Sequence, residues 1–397
     1  MQQSAIHKRL AFRRRSTRRP PRQASHPESI PRTLAGRMDL PFLLLTILLT
    51  VLGLVMLFSA SFPSASYKQG DPAYFLKRQA IFALLGMAAM VVMSRMDYHR
   101  LRGMAKILMY VSIFLLVLVL VPGVGIKENG ATRWLGKVGV LTFQPSEIAK
   151  LAIIVYFADS ISKKKNLMES FKYGVRPYLL TLAFFSGLML LEPHLSGTIL
   201  IVGGIDKRWA IGGIGSVAAL GFTYVKLVEA GVISYGADRI RMWEDPWIDA
   251  LDEGYQMCQS LIAIGSGGLT GVGLGKGRQK FLYLPEEHND FIFAVVCEEL
   301  GLIGAALVML VFALLILRGF WIALQARDRF GALLVVGIMT QISLQTFLNI
   351  AVVSGLVPAT GISLPFFSYG GTALALQLFE MGIVLSVSRQ IPAPRGG

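Results

Sequence analysis

The segment "FLYLPEEHNDFIFAVVCEELG", residues 281–301, sets Glu286, Glu287 and Asp290 around His288 and then turns apolar, with Glu298 and Glu299 about two turns further on. Carboxylates beside an imidazole are the materials of general acid–base chemistry, because their surroundings can tune each to exchange a proton near neutral pH. Asp290 falls where the polar stretch ends and the apolar run begins. The residues alone leave two roles open to it: a cap or first-turn acid favoured by the helix dipole, or a catalytic carboxylate. Glu286, Glu287 and His288 are the neighbours that would tune it, although a lone histidine such as His288 more often sits on a surface.

Other stretches place polar groups where the chain is otherwise apolar. "FQPSEIAK", 143–150, opens an apolar run with Gln144, Ser146, Glu147 and Lys150, and Pro145 suits a first helical turn. Glu147 and Lys150 lie three apart on one helical face, where they can pair. A structural ion pair is the simplest reading, and a polar cavity or substrate groove the next. Gln341, Gln345 and Asn349 follow at steps of four, a polar stripe whose ordinary use is to hydrogen-bond helices together at ~0.6 kcal/mol each. "LEPHLSGT", 191–198, sets Glu192 and His194 beside a proline, and "SYGG", 368–371, interrupts the last apolar run. An ionised group at mid-membrane costs ~3 kcal/mol or more, so it faces a cavity or an opposite charge. Glu298 and Glu299 are read on that ground as caps or braces for neighbouring helices. The glycine-rich "GSGGLTGVGLGKGRQK", 265–280, suggests a phosphate cradle with Lys276, Arg278 and Lys280 as its cations. It matches neither G-x-G-x-x-G after a strand nor G-x-x-x-x-G-K-[ST], which argues against a nucleotide.

The elements that must position these groups are helices in a membrane. The 397-residue chain is 54% hydrophobic, has a mean hydropathy of +0.57 and is only 16% charged, whereas about a quarter of a soluble domain is charged. Apolar runs at 40–58, 104–121 and 291–317 each match the ~20 helical residues that a ~30 Å hydrocarbon core requires. The expected fold is an all-α polytopic membrane protein. Its spans are expected near 40–60, 80–95, 104–122, 146–162, 177–191, 193–205, 209–228, 291–317, 330–352 and 366–387, ten in all. Two cysteines, Cys258 and Cys297, are too few for a disulfide framework or a metal cluster.

The net charge of +15 is unevenly placed. Residues 1–37 hold ten Lys/Arg and one acid and are rich in Pro and Ser, the composition of a disordered cytoplasmic tail that lacks the apolar centre of a signal peptide. RNA binding is the lesser alternative for this tail, and no nucleic-acid partner is expected. Arg95, His99, Arg100, Arg102 and Lys106 mark one cytoplasmic turn; Lys163, Lys164, Lys165 and Lys172 mark the next. Lys207 and Arg208, the bases of 318–329 and Arg389 mark the others, which puts both termini inside. The long outer connection, 229–290, holds ten of the 24 acids against five bases. Its Trp243, Trp247 and Tyr255 need something to pack on, so short helices on the outer membrane face are expected there. Only thirteen residues separate Glu192 from Asp206, roughly 20 Å of helix, too short for a free-standing span. A distorted, abbreviated sixth span is expected, with Glu192 and His194 lining the same polar groove as Lys150.

Taken in order, "NGATRWL" (129–135), "FQPSEIAK", "LEPHLSGT", "WEDPW" with "GYQMCQSLIAIGSGGLTGVGLG" (243–275), the 281–301 segment and "GLVPATGISLPFFSYGG" (355–371) resemble the SEDS family (shape, elongation, division and sporulation). Within it the chain looks like the division and sporulation members. The match runs over roughly 40–388 and leaves the basic tail outside. The resemblance implies a peptidoglycan glycosyltransferase that polymerises lipid II at the outer face of the cytoplasmic membrane, at the division septum. It also implies a class B penicillin-binding protein and other divisome membrane proteins as partners. The family's essential aspartate falls on Asp290. Arg133, Glu147, Lys150, Glu192, Gln256, Gln259, Ser260, Glu286, His288 and Ser368 occupy the matching stretches, and with Arg278 of the glycine-rich basic segment they are the expected substrate-binding residues. There are two departures: His194 stands where the family has Asp in E-P-D-L-G-T, beside an inserted-looking Ser196, and the span that follows is about ten residues short.

The reaction so implied joins the 4-OH of an acceptor GlcNAc to C1 of a donor MurNAc as undecaprenyl pyrophosphate leaves. A hydroxyl needs a carboxylate base within hydrogen-bond reach, and a departing pyrophosphate needs positive charge, from Arg or Lys or from a divalent cation, Mg or Mn. Arg133, Lys150 and Arg278 are the candidate pyrophosphate or acceptor contacts. The rival readings are a lipid II flippase, in which Asp290 merely binds the headgroup, and a non-catalytic divisome scaffold that activates a transpeptidase.

Overall fold

Asp39 and Pro41 start the first long helix by the usual means. The Asp39 carboxylate accepts the Phe42 amide at 3.0 Å, and proline needs no partner in the first turn. The resulting α1, Leu40–Gln69, ends where Gly70 takes the left-handed conformation (φ 68°). In this computed structural model the described residues are 36–128, 131–137, 141–164, 176–191 and 237–391. α2 (Tyr74–Arg95) and α3 (His99–Leu120) follow, then a small sheet, then α4 (Pro145–Lys163) and α5 (Arg176–Leu191). After α6 (Ala237–Glu244), a 3-10 turn (Pro246–Asp249) and α7 (Tyr255–Gly267) come α8 (Ile292–Gln325), α9 (Arg329–Val353) and α10 (Gly371–Ser388).

Helices therefore occupy eight of the ten expected spans, and six of them, α1–α3 and α8–α10, are long and apolar enough to cross a bilayer. The expected spans at 193–205 and 209–228, with Glu192, His194, Lys207 and Arg208, lie outside the described residues. α1 runs to Gln69, well past its expected end at 60. α10 starts at Gly371 and not at 366, because the preceding turn is held by its own helix: the Phe366 amide donates to Gln377 Oε1 at 3.1 Å. The short helices expected in the outer connection are α6, the 3-10 turn and α7. Trp243 pins them to the end of α9 by donating Nε1 to the Gly355 carbonyl at 2.9 Å, whereas Trp247 is exposed.

The span pattern gives no strand, yet Ile126–Glu128, Ala131–Lys137 and Leu141–Phe143 form a three-stranded antiparallel sheet, β1–β2–β3. Strands of three to seven residues are too short to stamp a period on the sequence. The sheet sits at the start of α4 and touches α10, where the Thr372 hydroxyl donates to the Thr142 carbonyl at 3.4 Å.

The charges assigned to the inner loops collect at one end of the bundle. Arg318 pairs with Asp39 at 2.8 Å, and Asp159 accepts from Arg102 at 2.9 Å and Lys163 at 2.6 Å. Asp328 receives the Tyr98 hydroxyl and caps α9 through the Gly331 amide at 3.2 Å, with His99 Nε2 at 3.5 Å. Burial alone would raise the Asp328 carboxyl, but His99 and Tyr98 together hold it down at about 2.

The acids at the other end correct the reading of 291–317 as one hydrocarbon-immersed helix. α8 breaks at Gly301, whose φ of 68° and ψ of −173° are not helical. Before the break, Ile292 to Glu299 are buried on every side; beyond it, Leu302, Ile303, Leu307 and Leu310 face outward. Glu298 and Glu299 brace neighbouring segments, as expected. Glu299 accepts from Lys280 Nζ at 2.7 Å, from the Ser59 hydroxyl of α1 at 2.6 Å and from the Gly275 amide at 3.0 Å. Glu298 accepts the Arg278 and Gln279 amides at 2.7 and 3.3 Å. The reading of the loop's backbone and Lys280 as a phosphate cradle is thereby corrected, since the Gly275, Arg278 and Gln279 amides and Lys280 hold the chain's own carboxylates, whereas the Lys276 and Arg278 side chains are exposed. Gly271 is required for close approach, since a Cβ there would lie 2.1 Å from the Glu299 carbonyl oxygen.

Two outcomes follow. Lys280→Met leaves Glu299 buried without its counter-ion and is expected to cost about 3–5 kcal/mol in denaturant unfolding, with Lys280→Met/Glu299→Gln recovering part of it. A depressed folded pKa makes Asp328 stabilising above the unfolded carboxylate pKa of about 3.9 and neutral below about 2. The thermal midpoint is therefore expected to drop across pH 4 to 2, and less steeply in Asp328→Asn.

Candidate functional site

The lip between the brace and α8 is built against local preference. Leu282 and Glu286 take left-handed φ values of 66° and 55°, a conformation that side chains disfavour. What holds it is a set of long-range hydrogen bonds to three successive carbonyls. His288 O accepts the Tyr369 amide at 2.8 Å, Asn289 O the Ser368 hydroxyl at 2.7 Å, and Asp290 O the Asn349 side-chain amide at 2.7 Å. Asn349 also donates to Ile362 O at 2.7 Å, and the Ser368 hydroxyl accepts the Leu364 amide at 2.7 Å, so the clasp joins α9, the 361–369 loop and the lip. Gln79 of α2 closes it from the other side, taking the Gly370 amide and donating to Ser368 O.

Asp290 sits half-buried on this clasped backbone. The N-cap of α8 is Phe291 and its first turn holds no acid, so Asp290 stands one residue ahead of the cap. Gly361 faces the carboxylate closely enough that a Cβ there would stand 3.2 Å from Oδ2, which keeps that approach clear of side chains. Glu287, 5% exposed, lies 3.2 Å from His288 Nδ1. Burial pushes the Glu287 carboxyl up, but the neighbouring His288 imidazole and Ser64 hydroxyl outweigh it and hold it below the usual range. His288 is not the surface histidine its isolation suggested: its ring packs on Phe75 at 4.4 Å and lies 5.9 Å from Tyr369. Glu286 accepts from the Asn289 side chain and shapes the turn.

The remaining candidates divide. Gln256 joins the lip by donating to Pro285 O at 3.3 Å, and Gln259 is half-buried on the same helix, α7. The Ser260 hydroxyl is fully buried and donates to Val353 O at 2.8 Å, tying α7 to α9. Arg278 is exposed at the edge of the brace and Arg133 lies on β2. Glu147 and Lys150 pair at 2.8 Å with 13% and 5% of their side chains exposed, facing the bundle interior as their spacing predicts. Among the described residues no group of three or more His, Cys, Asp and Glu side chains converges as a protein-held metal requires.

Two contributors escape the sequence reading. Asn349, read as helix glue, holds the backbone of Asp290, and nothing in a one-dimensional pattern pairs positions 59 apart. Glu380, 1% exposed inside α10, carries a usable signal that went unread, an acid within an apolar span.

Comparison with known proteins agrees with this architecture. The family model described as a cell cycle protein, FtsW/RodA/SpoVE, matches residues 39–392. Stage V sporulation protein E of Bacillus subtilis is 44% identical over 360 residues, covering 88% of this chain and 97% of that protein. A probable peptidoglycan glycosyltransferase FtsW of Geobacter metallireducens is 42% identical over 365 residues, covering 89% and 96%. Among solved structures, a chain of a peptidoglycan synthase complex that coordinates polymerization and crosslinking superposes with a TM-score of 0.73 at 29% identity, covering 89% and 98%. The rod shape determining protein RodA of Thermus thermophilus gives a TM-score of 0.64 at 28% identity, covering 90% and 98%.

The clasp has a direct test. Asn349→Leu keeps the side-chain size but strands the buried carbonyls of Asp290 and Ile362, and is expected to cost about 1–3 kcal/mol for each lost partner. Hydrogen exchange of the amides between 284 and 291 should rise in the variant, with the helices of the far end unchanged.

Proposed function

This chain belongs to the FtsW/RodA/SpoVE family of cell cycle proteins, and we propose that it joins the sugars of lipid II with Asp290 as its general base. It is a peptidoglycan glycosyltransferase and a multi-pass membrane protein. The observation that carries the assignment to Asp290 is the clasp. Three successive carbonyls at 288–290 are each held by a group from 349–369, which gives this one carboxylate a fixed backbone at the edge of an apolar helix.

Asp290 takes the proton of the acceptor 4-OH as that oxygen attacks C1 of the donor, and undecaprenyl pyrophosphate departs with the bonding pair. One base suffices, because direct displacement inverts an α-linked donor into a β-linked product without a covalent intermediate. Arg278, exposed beside the lip, and Arg133 on β2 are the cations proposed for the pyrophosphate. Lys150 is held by Glu147 within the bundle and is assigned no contact with the leaving group. Among the described residues, Glu286 and Glu287 of the lip lie against Asn289 and His288, and no group of three or more metal-binding side chains gathers there.

The relative solved within a peptidoglycan synthase complex supports a class B penicillin-binding protein as the partner. Work at the outer face of the cytoplasmic membrane, at the division septum, with both termini in the cytoplasm and other divisome proteins alongside, completes the proposal.

Purified protein with lipid II and its cognate transpeptidase is expected to make glycan chains, and Asp290→Asn to lower that rate by about 10²–10⁴-fold with unchanged melting and partner binding. Polymerisation within a few-fold of wild type would remove Asp290 from the base role. Transfer of lipid II between leaflets without glycan synthesis in either protein would favour the flippase reading.

A further inference from the structure

The interior of the bundle holds an arrangement that neither the lip nor the brace uses. Glu380 projects from α10 and is 1% exposed, and neither of its carboxyl oxygens has a hydrogen-bond partner. Gln341 of α9 lies beside that carboxyl without a bond of proper geometry, and its own Oε1, also buried, is unpartnered too. Across from them on α4 stand Glu147 and Lys150, already paired at 2.8 Å. Among the described residues these two are the charged groups that act on Glu380 from the elements packed against α10. The charges of α1 and α2 lie at their ends, and those of α8 are engaged at the brace and by Asp39. Lys150 and Gln341 also border a cavity of about 50 Å³ between α4 and α9, polar enough at that end and large enough to admit a water molecule.

Charge counting shows what the arrangement lacks. Among the described residues, two carboxylates and one ammonium leave a net charge of −1 at membrane depth, where an uncompensated charge costs several kcal/mol. The unpartnered atoms, Glu380 Oε1 and Oε2 and Gln341 Oε1, are all acceptors. A donor is missing. We propose that Glu380, with Gln341 beside it and the Glu147–Lys150 pair opposite, is a proton-binding site in the interior of the bundle. One proton taken from water onto a Glu380 oxygen neutralises the cluster, and the resulting O–H donates to Gln341 Oε1, so one event answers both deficits. A metal cation fits less well, since it calls for six or more oxygens and would face the ammonium of Lys150.

Infrared difference spectroscopy between neutral and alkaline pH, on the full chain in lipid vesicles and with isotopically labelled glutamate, tests this. The expected result at neutral pH is the C=O stretch of a protonated carboxylic acid that shifts with the label, shifts again in deuterium oxide and is lost in Glu380→Gln. Assignment by label needs no substitution, so it stands even where the variant fails to fold. In parallel, the thermal midpoint of the wild-type protein should fall as pH rises from neutral, because the folded chain holds a proton that the unfolded chain does not. Glu380→Gln should make that slope shallower. Absence of the band from the wild-type protein, or its survival in the folded variant, overturns the proposal. A midpoint that follows sodium at fixed pH and ionic strength overturns it in favour of a metal-cation site. None of these readouts is glycan synthesis, so the outcome is independent of the glycosyltransferase reading.

Discussion

A carboxylate removed from water must be matched, and the match made by Glu299 is what the Asp290 end of the bundle depends on. Its oxygens collect an ammonium from Lys280, a hydroxyl from α1 and an amide from the glycine-rich loop, while Glu298 takes two further amides. Ion pairing in a low-dielectric interior is worth little unless every lone pair is occupied, and here nearly every oxygen is. The consequence is geometric. The loop is tied down at the break in α8, and the lip that follows begins from a fixed point.

From that point the clasp does the positioning. The lip has left-handed residues that would not hold their shape alone, and the three carbonyls before α8 are taken by α9 and the loop that precedes α10. Asp290 is thus set mainly by elements that follow it in the chain, with Gln79 of α2 closing the clasp from the other side. The polar stripe of α9 links the two polar regions of the molecule. Asn349 serves the lip, Gln345 holds Ser363, and Gln341 lies beside Glu380 deep in the bundle. Amides suit such a stripe because each can both donate and accept, and none carries a charge that the membrane would penalise.

The far end obeys a different rule. Arg318–Asp39, Arg102–Asp159 and the group around Asp328 gather the starts and ends of several helices, and in each at least one side chain stays about a third exposed. Such pairs fix which helix ends meet and add little stability each. The two ends of the bundle therefore differ in kind: one is braced by buried charge, the other stitched by partly exposed charge.

The sequence by itself determined the helical membrane class, eight of the described spans to within a few residues at most ends, the sorting of basic loops to one end and the placement of Asp290 at a polar–apolar border. These follow from composition, hydropathy and local spacing, which act over one helix or less. It also made Glu147 and Lys150 a pair, because three residues bring both to one face. Only the tertiary structure decided that Glu298 and Glu299 sit ahead of a break in α8 and that the glycine-rich loop wraps its own carboxylates. The same holds for Asn349 and Ser368 holding the backbone around Asp290, and for Glu380 meeting Gln341. Each joins residues far apart in the chain, and hydrogen-bonding groups in a membrane interior choose partners by proximity in space. A linear pattern can say that such groups need partners, and only packing says which.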